Sequence, residues 1–474
     1  MLWLALILPE PALQASLRGS TDDAPLALVD RHPRAVVVAA NAAARDAGVF
    51  PGQPLAGALA IVPALRLVDH DPRQAAALLE EVAVWAGRFT PAVSIDPPDC
   101  VLLELESSLT LFGGLEALLG EVRGGLASLG LVHLDGTAPT PLAARWLARA
   151  GDESATNAHR ALDARIRALP LAALADGAGI DDTVLSLLHA IGCRSLADVI
   201  ALPRDALARR QGEPVGQAID RALGRRPDPR PAHVPPQTYL ARLPLLVPTD
   251  RSDTLLFLLR RLLAGLSGWL GARHAGVDRL QVILEHEGRH PDSALEVLCG
   301  APCRDEQRLL VLIREHLERL PITVEVDALR LQAAAPVPLP ALPGDFFDDR
   351  NLVRENADLL RARLSARLGS EAVRQLRVRA DHRPEQARGD AVAGSDASLP
   401  AGARPLWLLP QPEPLRTPDR LVLLDGPERI ESGWWEAPEV RRDYYVARAR
   451  NGCLLWIFRE LQAPHGWYLH GYFA

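Results

Sequence analysis

The chain has 474 residues, enough for about three or four domains that each bury a core. Hydrophobic residues make up 48% of it and charged residues 23%, which excludes a fully disordered protein. The net charge of −7 argues against a protein that coats nucleic acid over its whole surface, but allows a local basic patch. All 52 basic residues are arginine, so every phosphate contact would use a planar guanidinium.

The start of the chain, MLWLALIL, is apolar but lacks a basic leader, and prolines soon follow it. We expect a buried first strand here rather than a signal peptide. We expect no other long apolar stretch, and therefore a cytoplasmic protein without a membrane span. The five scattered cysteines favour a reducing compartment. Cys299 and Cys303, with His286 and His290, could form a zinc set, but their spacing is wrong for a zinc knuckle, so we expect no metal centre and no cofactor.

Residues 1–165 alternate strand-like segments, such as LWLALIL and CVLLELE, with helix-like ones, such as PRQAAALLEEVAVWAGRF. This pattern predicts a mixed α+β domain. Residues 166–236 are predicted to be helical, with a tight break at Ile191-Gly192-Cys193. A helix, hairpin and helix turn backbone N–H groups toward a phosphate, which makes Gly192 a candidate DNA-binding residue. The alternative is an ordinary helical pair with a glycine C-cap.

Four further segments follow along the chain. Proline-rich sequences separate them, and five of the nine tryptophans lie in the last one. The segments are an α+β unit in 237–334, a proline-rich connector in 335–350, a helix with a flexible linker in 351–404, and an aromatic-rich, strand-like module in 405–474.

The order of these segments over about the first 335 residues resembles the Y-family of DNA polymerases. RFTPAVSIDPPDCVLLEL resembles the S-I-D-E-A palm strand of that family, and AANAAARDAGVFPGQPLAGALAIVPALRLVDHDP resembles its fingers. The resemblance implies an α+β multidomain fold with palm and fingers in 1–165, a helix-hairpin-helix thumb in 166–236 and a little finger in 237–334. It also implies that Arg45 aligns with an arginine that contacts the incoming triphosphate.

The tail resembles the C-terminal region of ImuB-like proteins, which are Y-family relatives. The segments that carry this resemblance are RADHRPEQA, RPLWLLPQPEPL and GPERIESGWWEAPEVRRDYYVARARNGCLLWIFRELQAPHGWYLHGYFA. The resemblance implies a role in a bacterial mutagenesis complex. The implied partners are DNA, a RecA-like protein, ImuA, and an error-prone replicative-type DNA polymerase.

Nucleotidyl transfer needs two magnesium ions held by carboxylates. The resemblance implies one carboxylate on the first strand and an Asp-Glu pair on the S-I-D-E strand. Here the first strand carries none, Asp96 remains, and Pro97 follows it. We therefore expect no catalytic residue, with Asp96 a residual metal-ligand position that caps a turn. The alternative is an active translesion polymerase that uses unorthodox carboxylates, with Asp99, Glu104 or Glu106 beside Asp96.

A local basic excess lies between Arg204 and Arg230, where seven arginines stand against four acidic residues. Such an excess is enough for a few phosphate contacts and a strong dependence of DNA binding on salt. A solvated helical face is the alternative. The candidate DNA-binding arginines are Arg209, Arg210, Arg225 and Arg226.

The connector contains PGDFFDD, which resembles a degenerate sliding-clamp-binding peptide. Asp345, Phe346 and Phe347 match the end of that peptide, and Pro343 replaces its first Gln. Two adjacent aromatic anchors on an extended segment can enter a preformed pocket. In the alternative, both rings pack on the next helix.

The tail is predicted to bind a protein partner, because aromatic and arginine side chains dominate interface energetics. Single-stranded DNA is an alternative ligand for these residue types. In a third reading, the rings form the module's own core. The candidate partner-binding residues are Trp434, Trp435, Arg441, Arg442, Tyr444 and Tyr445.

Together these features predict a non-catalytic adaptor in damage-induced mutagenesis and translesion synthesis. It would bridge DNA, the sliding clamp, the RecA-like partner and the error-prone polymerase.

Overall fold

The computed structural model describes most of the chain in two compact units, Met1–Gly369 and Ser370–Ala474. The described residues are 1–20, 22–31, 34–151, 159–209, 212–288, 290–333, 335–339, 349–369, 372–373, 376–378, 381–390, 404–433 and 439–473.

The first unit begins with an antiparallel sheet of strand order β5-β6-β1-β7, called the N-terminal sheet. Residues 4–8 along β1 are fully buried because helices cover both faces of this sheet. Helices α4 and α5 pack on one face, and α6 packs on the other. The elements are β1 (Trp3–Ile7), α1 (Pro11–Leu17), α4 (Pro72–Ala86), β5 (Val93–Asp96), β6 (Cys100–Glu104), a 3-10 turn (Glu106–Ser108), α5 (Leu115–Ser128), β7 (Leu134–Ala138) and α6 (Pro141–Arg149).

A second, small sheet of order β3-β2-β4 is inserted between α1 and α4. It has its own core, which includes Val29, Val37 and Val49. Asn41 caps its first helix, because the side-chain oxygen accepts a hydrogen bond from the backbone N–H of Ala44. The elements are β2 (Leu26–Asp30), β3 (Val36–Ala40), α2 (Ala42–Asp46), α3 (Leu55–Ile61) and β4 (Arg66–Asp69).

A helical region follows and packs against α6 through a shared core that contains Trp146, Leu188 and Val215. Its polar ties to the N-terminal sheet include the hydroxyl of Thr140, which donates to the carbonyl of Ala222 at 2.7 Å. The elements are α7 (His159–Ala168), a 3-10 turn (Leu171–Ala175), α8 (Asp182–Ala190), α9 (Leu196–Ala201), α10 (Arg204–Arg209) and α11 (Glu213–Ala222).

The central sheet has strand order β10-β9-β11-β8, and its apolar face packs on helices α12 and α13. Among the described residues, α12 is the one helix that is long and apolar enough to cross a membrane, so the expectation of no second apolar stretch was wrong. Most of α12 is buried in this core. The elements are β8 (Tyr239–Thr249), α12 (Ser252–Gly271), β9 (Ala275–His286), β10 (Ser293–Cys303), α13 (Glu306–Leu317), β11 (Val326–Ala333), β12 (Val337–Pro338) and α14 (Asp349–Leu368).

The N-terminal sheet and the central sheet meet at Trp85, which is 1% exposed. Its indole lies between Gly125 of α5 and Gly268 of α12, and a methyl group at either glycine would overlap the ring. Nearby, the buried guanidinium of Arg18 forms a two-point ion pair with Glu81, at 2.6 and 2.7 Å. Close packing around Trp85 therefore joins the two halves of this unit, and the Arg18–Glu81 pair holds the end of α1 to α4 within the N-terminal half.

The second unit is built on a five-stranded antiparallel sheet of order β15-β19-β18-β17-β16, called the tail sheet. Apolar clusters cover both of its faces, one around Trp456 and one around Ile457. The elements are β13 (Leu376–Val378), β14 (Arg388–Asp390), β15 (Trp407–Pro414), a 3-10 turn (Pro418–Arg420), β16 (Val422–Ser432), β17 (Val440–Arg448), β18 (Leu454–Glu460) and β19 (Gly466–Tyr472).

Candidate nucleic-acid site around Asp96

The hairpin β5–β6 places Asp96 at its turn, directly opposite Cys100. The end of β1 lies beside this turn, because the backbone N–H of Leu8 donates to the carbonyl of Asp99 at 2.8 Å. The hairpin therefore brings the one remaining carboxylate of the S-I-D strand to the edge where the first strand ends. A Y-family palm would gather its metal ligands at this edge.

The carboxylate of Asp96 forms ion pairs with two arginines. Nη1 of Arg145, on α6, lies 2.9 Å from Oδ2, and Nη1 of Arg230, which follows the helical region, lies 2.9 Å from Oδ1. Arg145 is 1% exposed and Arg230 is 10% exposed. Each oxygen of Asp96 thus has a buried guanidinium as its partner.

The guanidinium of Arg145 is shared among three carboxylates. Its Nη2 also lies 3.1 Å from Asp99 and 2.7 Å from Asp176, and Arg149 contacts these same two residues at 2.5 and 3.2 Å. Burial alone would raise the pKa of Asp176, but the hydrogen bonds from Arg145 and Arg149 outweigh it and hold that pKa below its usual value. Asp176 is therefore ionised and paired with arginine at neutral pH.

A fourth carboxylate, Asp228, completes the set. It accepts a hydrogen bond from Arg230 at 2.9 Å and one from the backbone N–H of Leu142 at 3.2 Å, and Arg221 lies 3.9 Å away. We call the whole set the arginine–aspartate network. It is neutral, because it contains four arginines and four aspartates. Its members are Asp96, Asp99, Arg145, Arg149, Asp176, Arg221, Asp228 and Arg230.

The arrangement does not fit a pair of magnesium ions, which need several carboxylate oxygens free of cationic partners. The first strand offers only buried apolar side chains at this edge, including Leu6 and Leu8. Glu104 lies at the far end of the hairpin beside Trp3, about 13 Å along the strand from Cys100 at about 3.3 Å per residue. Glu106 pairs with the amino terminus. Glu104 is on the same face of the hairpin as Asp96, because Asp96 is paired with Cys100 and side chains alternate along β6, but it lies too far along the strand to join Asp96 around a metal ion.

The residue expected to contact a triphosphate also has an internal partner. Arg45, at the end of α2, forms an ion pair with Glu10. Glu10 precedes α1 in a left-handed backbone conformation, with φ 47°, and reaches the small sheet's helix from there. The guanidinium that would bind an anionic nucleotide is thus neutralised within the chain.

Several of the arginines between residues 204 and 230 form ion pairs, so the basic patch carries less free positive charge than their number suggests. Arg204 makes a two-point contact with Asp220 at 2.8 and 2.5 Å, and Arg221 and Arg230 belong to the arginine–aspartate network. Arg225 is about half exposed and lies 3.7 Å from both Asp163 and Asp220. A count of charges along the sequence overstated the free positive charge, because it could not show which arginines are paired.

Three further candidate DNA-binding arginines are Arg209, Arg210 and Arg226. Arg226 is exposed and has no ion pair among the described residues. Arg209 ends α10, and Arg210 lies outside the described residues. Arg226 is therefore the clearest free cation of this group.

The hairpin at Gly192 has the predicted shape, with φ 93° between α8 and α9. Several of its backbone N–H groups already have partners, however. The carboxylate of Asp198 accepts from Arg194 and Ser195 at 2.9 Å, and the N–H of Gly192 donates to the carbonyl of His189 at 3.0 Å. Phosphate binding by Gly192 stays a prediction, and a phosphate would have to compete with Asp198.

The solvent-facing side of the central sheet carries residues that were not predicted as candidates. Arg242 and Arg330 are directly paired across β8 and β11, and both contact Glu285 through Nε, at 2.8 and 2.7 Å. Arg279 lies on the same sheet, 3.5 Å from Glu296, and both are more than half exposed. The signal in the sequence was the alternation of polar and apolar residues in these strands, which predicts a solvated face.

The tail candidates divide into core and surface residues. Tyr444 is 1% exposed, stacks on Trp456 with ring centroids 4.2 Å apart, and forms a hydrogen bond of 2.8 Å with His470. Arg442 lies over Phe458 and pairs with Glu385 at 3.0 Å. Tyr444 and Arg442 therefore belong to the module's interior, and their prediction as partner-binding residues was wrong.

For the remaining tail candidates, partner binding stays a prediction. Arg441 is exposed and pairs with Glu439, and Tyr445 is half-buried against Trp467. Trp434 and Trp435 lie outside the described residues. Trp407, which was not a candidate, is 67% exposed on β15, so it is a better surface aromatic than Tyr444.

Two further candidate sets have simple outcomes. Asp345, Phe346 and Phe347 lie outside the described residues. Cys299 and Cys303 are buried in the core of the central sheet. The described residues contain no group of three or more metal-ligating side chains placed to hold an ion.

The sequence reasoning missed Arg145. Its signal is a single arginine inside PLAARWLA, where the surrounding residues are apolar and all lie buried in α6. A buried arginine needs a carboxylate partner, so this position pointed to an ion pair. The identity of that partner could not be read from spacing.

Residues 13–149 match the impB/mucB/samB family, IMS. Protein ImuB of Caulobacter vibrioides, from two strains, is 31% identical over 471 residues, which cover 90% of this chain and 100% of the relative. Among solved structures, an insertion ternary complex of Dbh DNA polymerase is 16% identical with a TM-score of 0.41. DinB from Sulfolobus solfataricus is 16% identical with a TM-score of 0.37. Each covers 72% of this chain and 100% of the solved chain.

The predicted family and fold class are thus confirmed. The chain belongs to the ImuB family, with a Y-family polymerase-like α+β multidomain fold and an additional β module at its C-terminal end.

Proposed function

We propose that the chain is a non-catalytic, polymerase-shaped adaptor in bacterial damage-induced mutagenesis and translesion DNA synthesis. It works in the cytoplasm and bridges DNA, the sliding clamp, a RecA-like partner and an error-prone replicative-type polymerase. In this assignment the N-terminal and small sheets are palm and fingers. The helical region is the thumb, and the central sheet is the little finger.

The pairing of Asp96 with Arg145 and Arg230 is the observation that carries the proposal. A cation that binds Asp96 would have to displace two buried guanidinium groups, and each would then lose its partner. Leaving a buried charge unpaired costs about 3–5 kcal/mol. The arginines thus supply the positive charge that metal ions supply in a polymerase, but they provide no open coordination position for a nucleotide or an attacking hydroxyl.

The Arg45–Glu10 pair supports the same proposal from a second direction. Binding of a triphosphate at Arg45 would first break this ion pair and then bring four negative charges close to Glu10. Like charges in that position oppose binding. Without bound metal the triphosphate would also lack its neutralising partner. We therefore propose that the chain binds no nucleotide at this position.

For DNA binding we propose Arg226, which has no ion pair among the described residues, and Arg225, which is half exposed and lies 3.7 Å from Asp163 and Asp220. We also propose Arg209 and Arg210, and the outward face around Arg242 and Arg330, where both arginines contact Glu285. Only a few phosphate contacts are available, so binding is weak and falls steeply with salt. Weak binding suits an adaptor that is held at the primer terminus by other contacts.

Protein partners are proposed for the connector and the tail. Phe346 and Phe347, with Asp345, bind the sliding clamp, because a short proline-flanked segment loses little entropy when held extended. The tail presents Trp434, Trp435, Arg441 and Tyr445 to the RecA-like partner or to the error-prone polymerase.

Primer extension tests the proposal. The purified full chain is incubated with a primed template, the four deoxynucleotides and either magnesium or manganese, beside an active polymerase as control. We expect no extension of the primer. Template-directed incorporation that disappears in Asp96→Ala would instead favour the alternative, an active polymerase with unorthodox carboxylates such as Asp99.

A further inference from the structure

A groove of about 590 Å³ lies where the end of α5 approaches helices α12 and α13. Its lining on α12 follows helical spacing, with Phe257, Arg260 and Arg261 at positions i, i+3 and i+4. On α13 the lining runs from Glu306 to Arg314. At a rise of 1.5 Å per residue this stretch is about 12 Å long, the length of a helical peptide of about two turns.

The floor of the groove is apolar. Phe257 is 46% exposed, although it belongs to a helix whose other large apolar residues are mostly buried. Leu310 and Val311 of α13 line the opposite side and are only half-buried. An exposed ring beside two partly exposed aliphatic side chains can accept the apolar face of a partner helix.

The rim of the groove is basic. Arg260 and Arg314 are exposed, and neither has an ion pair among the described residues. Arg261 is turned inward, stacks on Phe257 at 5.2 Å and donates to the carbonyl of Arg18. The one carboxylate in the lining, Glu306, interacts with Ser267 and Arg88 and leaves the outer arginines unneutralised.

The groove lies on the helical side of the central sheet, whereas Arg242 and Arg330 lie on the opposite, solvent-facing side. The residues of β11 alternate between the two sides, so that Leu329 and Leu331 face the helices and Arg330 faces away. A molecule in the groove would therefore leave the proposed DNA face open. Both faces can be occupied at the same time.

We propose that this groove binds an acidic amphipathic helix of a partner protein. The apolar stripe of that helix covers Phe257, Leu310 and Val311, and its glutamates or aspartates pair with Arg260 and Arg314. A second copy of this chain is disfavoured as the occupant, because the arginine rims of two such grooves would repel each other. Duplex DNA is disfavoured as well, because its backbone has nothing to place on an apolar floor. This site is independent of whether the chain extends primers.

Fluorescence anisotropy with the full chain tests the proposal. The probe is a short, fluorescein-labelled, helix-forming peptide with leucines at i, i+3, i+4 and i+7 and glutamates at the other positions. Two matched peptides carry arginine or glutamine in place of glutamate. We expect the acidic peptide to bind at least about tenfold more tightly than the arginine peptide, and this preference to shrink at high salt.

Three variants locate the binding site. Arg260→Glu with Arg314→Glu should weaken binding of the acidic peptide at least about tenfold and favour the arginine peptide instead. Phe257→Ala should weaken all three peptides. The control, Arg279→Glu on the opposite face of the sheet, should change none of them. Circular dichroism checks that each variant is folded.

Several results would overturn the proposal. These are no binding of the acidic peptide, equal binding of all three peptides, or unchanged binding in the Arg260→Glu and Arg314→Glu variant. Displacement of the peptide by duplex DNA, with loss of DNA affinity in the same double variant, would instead assign the groove to nucleic acid.

Discussion

Nη1 of Arg145 lies 2.9 Å from the carboxylate of Asp96 and 2.8 Å from its backbone carbonyl, so one guanidinium holds both the side chain and the main chain of the S-I-D strand. The same arginine contacts Asp176 before α8, which ties the N-terminal sheet to the helical region. The ion pair between Arg145 and Asp96 thus lies where a polymerase would hold its metal ions.

Replacement of Arg145 by Met should lower the free energy of unfolding by about 3–5 kcal/mol, because Asp96, Asp99 and Asp176 would lose a buried partner. Urea denaturation followed by circular dichroism measures the change. The control is Arg167→Met, which removes an exposed pair with Asp163 and should cost less than about 1 kcal/mol. Equal effects of the two substitutions would contradict a central role for the network.

DNA binding should depend on Arg225 and Arg226. Arg225→Ala with Arg226→Ala should weaken binding to all sequences alike and lower the slope of affinity against salt by about one for each phosphate contact that is lost. Adding Arg209→Ala and Arg210→Ala should extend the effect. Filter binding at several salt concentrations measures both quantities.

Arg204→Ala is the matched control for this experiment. Its guanidinium is already held by Asp220, so the salt slope should not change. A slope that changes for Arg204 and not for Arg225 and Arg226 would place the DNA contact elsewhere on the helical region.

Clamp binding should require the two phenylalanines of the connector. Phe346→Ala with Phe347→Ala should abolish a micromolar-scale interaction, worth about 8 kcal/mol, while DNA binding and the circular dichroism spectrum stay unchanged. Surface plasmon resonance with immobilised clamp measures the loss. Full affinity in the double variant would refute this peptide as the contact, and a loss of fold would assign the rings to a core.

The tail sheet should lose stability between pH 6.5 and about 4. Burial lowers the pKa of His470 to about 4, with Arg442 acting in the same direction and Glu385 opposing it. A histidine whose pKa is lower in the folded state stabilises the fold above its unfolded pKa, and this stability is lost as the pH falls through the folded pKa. The shift corresponds to about 3 kcal/mol. Asp443, whose pKa is lowered by its pair with Arg429, loses its contribution only below this window.

Hydrogen-exchange mass spectrometry of the full chain checks this expectation on peptides from β17 and β19. Exchange should accelerate as the pH falls toward 4, after correction for the intrinsic rate. A His470→Asn variant should be less stable at pH 7 but nearly independent of pH across the window. If the two proteins show the same pH dependence, another group must control the transition.

The sequence predicted features that depend on local pattern. The apolar run at the start became the buried strand β1, and the break at Gly192 became a turn with positive φ. The strand-like segment CVLLELE became β6. In each case neighbouring residues carry the information, because strand and turn preferences are set within a few positions.

Features that depend on partners distant in the sequence could not be predicted in this way. Arg145 is 49 residues from Asp96, and the local sequence around either residue does not identify the other as its partner. Arg204 was counted as a free cation until the fold brought it to Asp220. Tyr444 was predicted to bind a partner because tyrosine is common at interfaces, but residue type does not determine which side of a strand faces the core.

The position of Trp85 between Gly125 and Gly268 has a consequence for how the protein can be divided. Removal of everything after residue 236 would strip away α12 and uncover one side of the indole and of the apolar residues around it. The polymerase-like portion that remained would expose an aromatic patch and would tend to aggregate. Fragments that end before the central sheet are therefore poor reagents. A cut that separates the tail should fall after residue 369, so that residues 1–369 stay in one fragment.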